Sequence, residues 1–469
     1  MTVTTTTNPA SEPSQLWPLD LFVRANWATP LVIRHTYQTV VTNALSDAEQ
    51  RRGQVYEPST LITYPFMHWD DMHTIQMFLM RIGIASTSVP IWMDKVTLGP
   101  VSAEIEGFYT LNTPGAFFIR NSSSSRLAIR HRIKANQRVL LWQKSTDSIL
   151  VAEVTSTSVT EGQGVTYQTD VDFASLTGTW VVFPLVESRL VFQTSIQLHS
   201  SMACEGSVDF ASSTNRISSI LENQGGIGFL DEIAGGDTLE GYQFYDDKPI
   251  FESPISWGDS VTMSFQRSGQ FSPSGVDDLP TVYGSRPRVG YELTVRALTR
   301  EKAWKFKRLF DWSLGRCFSW WMVSPVRSLE LLSVTGVLVA IAQDGATNDW
   351  NYRPYIALVG YDGTIEVRKI VSVAPGAGFD VITVDLSFTL TLSEVRKVAV
   401  ARNMRFATDE LVEVWSSTET CDFPVQFIEV IDESDVTILR PGGYSSELDS
   451  PNAIPLLDTW SPDGCSTVL

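Results

Sequence analysis

Residues 26 to 92 of this chain are echoed by residues 256 to 321. That repetition constrains the fold more than any other feature, because a unit that occurs twice has to be able to fold twice. Asn26-Trp27 opens an extended polar stretch, followed by an apolar-periodic segment ending at Arg81-Ile82-Gly83 and then by Pro90-Ile91-Trp92. Ser256-Trp257 opens a similar stretch, followed by a segment ending at Ser313-Leu314-Gly315 and then by Ser319-Trp320-Trp321. The spacing from Trp27 to Trp92 and that from Trp257 to Trp321 differ by a single residue. Downstream, Arg138-Val-Leu-Leu-Trp142 and Ile149-Leu-Val-Ala-Glu-Val154 resemble Pro354-Tyr-Ile-Ala-Leu-Val359 and Ile365-Glu-Val-Arg-Lys-Ile370. Both blocks close on a cysteine and an alternating run, Cys204-Glu-Gly-Ser-Val-Asp-Phe210 and Cys421-Asp-Phe-Pro-Val-Gln-Phe427. The chain therefore reads as a tandem duplication of a unit of about 200 residues.

Within each unit, short Val/Ile/Thr/Phe/Trp runs of period two alternate with Gly, Asp, Asn and Ser turns, which predicts strands. One helix is expected per unit. The first begins near Asp70, carries Met72, Ile75, Met77, Phe78, Leu79 and Ile82, and stops at Gly83. The second begins near Thr299 with Glu301 in its first turn, carries Ala303, Trp304, Phe306, Leu309 and Phe310, and stops at Gly315. Ser, Thr, Asp and Asn cap helix starts and glycine ends helices, and the i, i+3, i+4, i+7 apolar spacing lets each helix cover a sheet. The expected fold is mainly β, with two tandem β-sandwich or barrel units. Each unit has a flanking α-helix and a small additional β-subdomain.

The division follows composition. Residues 1–18 read as an extended arm, 19–217 as the first unit, and 218–250 as a Gly- and acid-rich linker. Residues 251–435 read as the second unit and 436–469 as a proline-punctuated arm, whose Ile454-Pro-Leu-Leu457 and Trp460 are expected to dock on something.

Charge excludes one class of function. The 469 residues carry 35 Lys+Arg against 53 Asp+Glu, a net charge of −18, whereas sequence-specific DNA binding needs a basic face. With 43% hydrophobic and 19% charged residues, the chain can bury several cores. Cys204, Cys317, Cys421 and Cys465 lack the spacing of a zinc site or a disulfide framework and are expected to be reduced and mostly buried. The N-terminus lacks the basic and apolar regions of a secretory signal, and no apolar run approaches a membrane span, so a soluble intracellular product is expected.

No enzyme signal stands out. His68 and His73 lie five residues apart, which on a helix turns them about 140° from each other, a poor metal pair. Gly360-Tyr-Asp-Gly363 and Pro375-Gly-Ala-Gly378 lack the lysine of a phosphate loop and fit hairpin turns. No Gly-x-Ser-x-Gly elbow occurs, and Cys317 lies in an aromatic run. No cofactor, metal or catalytic residue is expected.

Two clusters remain. Trp304, Phe306, Phe310, Trp312, Phe318, Trp320 and Trp321 would serve either as a sugar- or base-stacking platform or as core and subunit contact, and burial is the default use of so many aromatics. Arg296, Arg300, Lys302, Lys305, Lys307 and Arg308 are expected on the exposed side of the second helix, where an acidic neighbour would make an interface of them.

The unit as a whole has a Trp or extended-strand opening, an arginine-bearing arm at Glu49-Gln50-Arg51-Arg52-Gly53, a sheet-packing helix, a Pro-x-Trp or Trp-Trp strand and a Phe-x-Val-x-Phe closing strand. In this it resembles the distal tail proteins of long-tailed bacteriophages and gene transfer agents. The resemblance covers about residues 20 to 210 and 250 to 432. It departs from the family in carrying two units per chain and in the eroded closing motif at Val208-Asp-Phe210.

The resemblance implies tail-tube-like units in a structural, non-enzymatic ring at the virion tail tip, assembled in the host cytoplasm. Such a ring joins the tail tube protein to the baseplate hub and the receptor-binding or fibre proteins, and DNA passes through it unbound. Two units per chain would let a homotrimer supply six lobes, with a hexamer as the other copy number. Trp27, Trp92, Trp257, Trp304, Trp312, Trp320, Trp321, Trp460, Arg51 and Arg52 are the interface and packing candidates. The alternatives are a carbohydrate-binding or carbohydrate-cleaving β-protein with exposed tryptophans, or the hub or tube protein itself.

Overall fold

The computed structural model describes residues 30–438 except 44–47, 54–58, 67–85, 101–105, 112–113, 121–132, 134, 144, 147, 161–163, 192–194, 201–202, 213–238, 240, 253–260, 272–279, 326–328 and 343–353. The period-two runs become strands. In the first half these are β1 (Leu31–Thr36), β2 (Thr39–Asn43), β3 (Ala48–Gly53), β4 (Ser59–Phe66), β5 (Ser86–Pro90), β6 (Val96–Gly99), β7 (Gly107–Thr110), β8 (Ala116–Arg120), β9 (Arg138–Gln143), β10 (Ser148–Thr160), β11 (Gly164–Thr169), β12 (Trp180–Leu190), β13 (Ser195–Ser200) and β14 (Ala203–Ser212). The second half has β15 (Gln243–Tyr245), β16 (Lys248–Glu252), β17 (Thr262–Phe271), β18 (Pro280–Ala297), α1 (Arg300–Ser313), β19 (Trp320–Val323), β20 (Leu331–Thr335), β21 (Leu338–Ala342), β22 (Tyr355–Gly360), β23 (Ile365–Pro375), β24 (Phe379–Val384), β25 (Val395–Phe406), β26 (Glu410–Trp415), β27 (Cys421–Glu429) and β28 (Asp432–Ile438). The protein is mainly β, as its alternating patterns predict.

The same ladder is built twice. β1, β4, β14, β12 and β5 lie side by side, antiparallel throughout. β17, β18, β27, β25 and β19 repeat that order. β13 pairs β14 as β26 pairs β27. The long strands β12 and β25 each continue into a small subdomain. From β12 a barrel runs through β9, β10, β11, β8, β7 and β6 back to β12. From β25 the sheet runs through β22, β23, β24, β21 and β20, and a bridge from Leu329 to Val398 stands where β6 meets β12.

A β-bulge anchors the comparison residue by residue, because it marks a unique point in a ladder. The register shifts between Val154 and Ser156 in one half and between Ile370 and Ser372 in the other. Counting outward through the pairings places Trp142 on Val359 and Val181 on Lys397. It then places Cys204 on Cys421, Phe210 on Phe427 and Val32 on Thr262. The landmark tryptophans part company with this register. Pro90 occupies the place of Val323, so Trp320 and Trp321 fall on Thr87 and Ser88. Trp92, which the sequence spacing matched to Trp321, lies instead in a 3-10 turn at Trp92–Asp94. Landmark spacing is blind to where a strand stops and a turn begins.

Two boundaries move. β15 and β16 form a hairpin turned at Asp246 and Asp247, both with positive φ, and β16 pairs parallel with β19, so residues 243–250 belong to the second unit and not to a linker. β28 runs to Ile438, past the expected start of the C-terminal arm at 436, and pairs with β3. The expected N-terminal arm, the first helix, the rest of the linker and the arm beyond 438 lie outside the described residues.

α1 forms where the sequence predicts it. Thr299 is the N-cap, its side chain accepting from the Lys302 N–H at 3.3 Å, and Glu301 sits in the positive first turn. Leu314 and Gly315 end the helix in the left-handed region. Thr299→Ala is expected to cost about 1 kcal/mol, read from the shift in a chemical denaturation curve.

The largest core runs unbroken through both halves, with Leu31, Ile33, Tyr64 and Phe210 packed in one cluster with Phe310, Phe406, Trp415 and Phe427. Separate cores fill the two subdomains, around Phe117 and Tyr167 in the first and around Ile341 and Leu358 in the second.

Candidate interface: the joint between the repeats

β1 belongs to the first repeat, but its outer edge pairs with β26 of the second, from Leu31 opposite Trp415 to Thr36 opposite Glu410. The alternation of β1 explains the fit: Leu31, Ile33 and His35 are buried while Arg34 and Thr36 face solvent. Leu411, Glu413 and Trp415 of β26 meet them on the buried side. A histidine and a carboxylate in this position need each other, since an unpartnered polar group there would carry a desolvation penalty. The His35 ring Nε2 lies 2.7 Å from Glu413 Oε1, and the other Glu413 oxygen accepts from the Trp415 indole at 2.8 Å.

The arginine-bearing arm crosses the same joint. β2 and β3 form a hairpin, and β28 of the second repeat adds to β3 in parallel. Glu49, fully buried, accepts from Arg405 Nε at 2.8 Å and from Arg405 Nη2 at 3.0 Å in a bidentate pair, and also accepts from Arg288 Nη1. Arg51 Nε is 3.9 Å away. Burial by itself would raise the Glu49 carboxyl, but the Arg405 hydrogen bond and charge, with the charges of Arg288 and Arg51, outweigh it and hold Glu49 below the usual carboxylate range. One carboxylate of the first repeat is thus the counter-ion for two arginines of the second.

The link between β1 and β2 wraps the end of α1. Tyr37 donates its backbone N–H to the Asp409 carbonyl at 2.9 Å and its hydroxyl to Asp311 at 3.0 Å. Thr39 donates its hydroxyl to the Leu314 carbonyl, and Arg316 bridges the Thr39 carbonyl and Asp409. This contact needs glycine at 315: φ is +65°, and a Cβ there would meet Asp409 Oδ1 at 2.7 Å and the Tyr37 Cβ at 3.2 Å. Burial opposes ionisation of Asp311, but Lys307, His35 and the Tyr37 hydroxyl outweigh it and lower its pKa.

The basic residues of α1 are placed differently from the sequence expectation. Arg300, Lys307 and Arg308 are buried and Lys302 is exposed. Arg300 reaches the first repeat, donating to the Met93 carbonyl at 3.3 Å, to the Lys95 carbonyl at 2.6 Å and to Glu106 at 3.2 Å. Trp304 joins the core of the first barrel. Helical periodicity assigns one buried face; here a second element packs on the polar side as well.

Of the candidate residues, Trp92, Trp304, Trp312, Trp320 and Trp321 are buried. Trp92 meets Phe183 edge-on at 4.9 Å, and Trp321 donates to the Tyr245 carbonyl at 2.9 Å. Arg51 is buried at the joint and Arg52 is exposed. Trp27, Trp257 and Trp460 lie outside the described residues. The sequence presents Glu49 only as part of the arm and carries no motif that marks Asp409 or Glu413. The one available signal was the Leu31-x-Ile33-x-His35 alternation, which puts a histidine in phase with the core.

Cys317 and Cys421 are buried and form no disulfide, and burial followed by nearby Glu413 and Asp422 pushes the Cys421 thiol well up, away from reactivity. Gly363 and Gly378 occupy hairpin turns with positive φ. Among the described residues no group of His, Cys, Asp and Glu could hold a metal, and no helix is long and apolar enough to cross a membrane. No known family profile matches the sequence, and no curated protein is significantly similar to it. The arrangement is a joint of paired strands and buried ion pairs between two register-matched units.

Proposed function

We propose that this protein is a structural component of a phage-like tail tip, a ring that connects the tail tube to the hub and receptor-binding proteins and lets DNA pass. One observation carries the reading. The joint between the repeats pairs β1, at the start of one unit, with β26, near the end of the other. Such a head-to-tail contact between equivalent units propagates into a ring or a filament, whereas a two-fold contact would terminate. Three chains would supply six quasi-equivalent lobes, fitting a sixfold tube to a threefold hub.

The net charge of −18 suits a channel through which a polyanion slides, since acids on the lumen leave phosphates hydrated and unattached. The sugar-stacking alternative requires Trp304, Trp320 or Trp321 at the surface, and all three are buried within the chain. Negative-stain microscopy of the purified protein, with native mass measurement, tests the proposal. The expected result is a ring with a central hole and three copies. Six copies would exclude the trimer, and a protein that forms no ring and never copurifies with tail particles would overturn the reading.

A further inference from the structure

Among the described residues, the joint inside the chain leaves one complementary edge unpaired in each repeat. β1 is flanked by β4 and β26, but its equivalent β17 pairs only with β18 among the described residues. β26 is flanked by β27 and β1, but its equivalent β13 pairs only with β14 among the described residues. We propose that β17 of one chain pairs antiparallel with β13 of a second copy, reproducing between chains the ladder that β1 and β26 form within one. The proposal rests on the ring reading and names the surfaces that would close it.

Exposure follows the pseudo-symmetry. Ile33 and His35 are 1% and 2% exposed because β26 covers them, while their register equivalents Met263 and Phe265 are 49% and 61% exposed. Two large apolar side chains on the outer strand of a sheet are a liability that a pairing strand would remove. The charges tell the same story: Arg405 is buried on Glu49 of the arm, whereas its equivalent Arg189 on β12 is exposed. The outer part of the β17–β18 hairpin, Ser268 to Phe271 against Pro280 to Tyr283, is the register counterpart of the β2–β3 arm.

The internal register transfers directly. As Leu31 faces Trp415 and Ile33 faces Glu413, Val261 would face Leu198 of the second copy and Met263 would face Ile196. Thr262, which would face Gln197, is exposed, as is Gln197. The pairing proposed here joins one β17 and one β13 from different chains, a head-to-tail contact.

Site-specific thiol crosslinking tests the register. Full-length protein carrying Thr262→Cys is mixed with protein carrying Gln197→Cys and treated with a short bismaleimide, which joins two thiols as thioethers. The expected result is a covalent dimer from the mixture and none from either variant alone, with a covalent series from the double variant. Met263→Asp with Phe265→Asp, at positions exposed in the single chain, is expected to leave folded monomers. Rings by microscopy with no crosslinked dimer would overturn the strand pairing and leave the ring reading standing. Crosslinked open filaments would uphold the pairing and refute the ring. Neither rings nor crosslinks, or assembly unaffected by the double Asp variant, would overturn the pairing.

Discussion

Glu49→Ala lowers the stability of the chain by about 3–5 kcal/mol, the cost of stranding buried charges without their counter-ion. Arg405, Arg288 and Arg51 are all buried around this one carboxylate. Glu49→Gln keeps an acceptor for Arg405 but removes the charge, and is expected to fall between wild type and alanine. The loss should appear in calorimetry as an earlier unfolding transition. Arg405→Ala is expected to add far less in the Glu49→Ala background than alone, since the two changes break one pair.

The same pair sets an acid limit. The Glu49 carboxyl is held below its ordinary value of 4.5 in the folded chain, so its stabilisation is fully present above about pH 4.5 and is lost as pH falls through the lowered value. Wild-type stability should therefore decline on acidification more steeply than that of Glu49→Ala. Parallel curves for the two proteins across that range would show that Glu49 contributes nothing through its charge.

Trp320→Ala is the second large effect, with an expected cost of about 3–5 kcal/mol from lost burial and the cavity left behind. Trp320 is fully buried, meeting Phe427 edge-on at 4.9 Å, Phe251 at 5.4 Å and Phe406 at 5.7 Å. These rings belong to β27, β16 and β25, so one substitution loosens three strands of the second repeat. A stacking platform would behave differently: its removal would abolish glycan binding and leave the denaturation midpoint unchanged.

What was legible in the sequence follows the range of the interaction. α1 is bounded by Thr299 and Gly315 as expected, because a cap and a left-handed stop act within one turn. The closing strands align through Cys204 and Cys421, since period-two alternation is also local. The β15–β16 hairpin was hidden in glycine- and acid-rich sequence, because its partner β19 lies some seventy residues further on and a three-residue strand has too little pattern to announce itself. The buried basic residues of α1 escaped for the same reason: nothing near Arg300 indicates that Glu106 and the Met93 carbonyl will cover it.

The sequence by itself determined that this chain is a mainly β protein made of a repeated strand-rich unit, with one capped helix where the second repeat needs it. Hydrophobic period and turn chemistry are enough for that, since each depends on neighbours a few residues apart. Only the tertiary structure decided how the repeats meet. The β1–β26 ladder and the Glu49–Arg405 pair join residues more than 350 positions apart, and an edge strand carries no local mark of which distant edge it will pair with. One such joint is closed within the chain, while on β17, the counterpart of β1, Met263 and Phe265 are exposed.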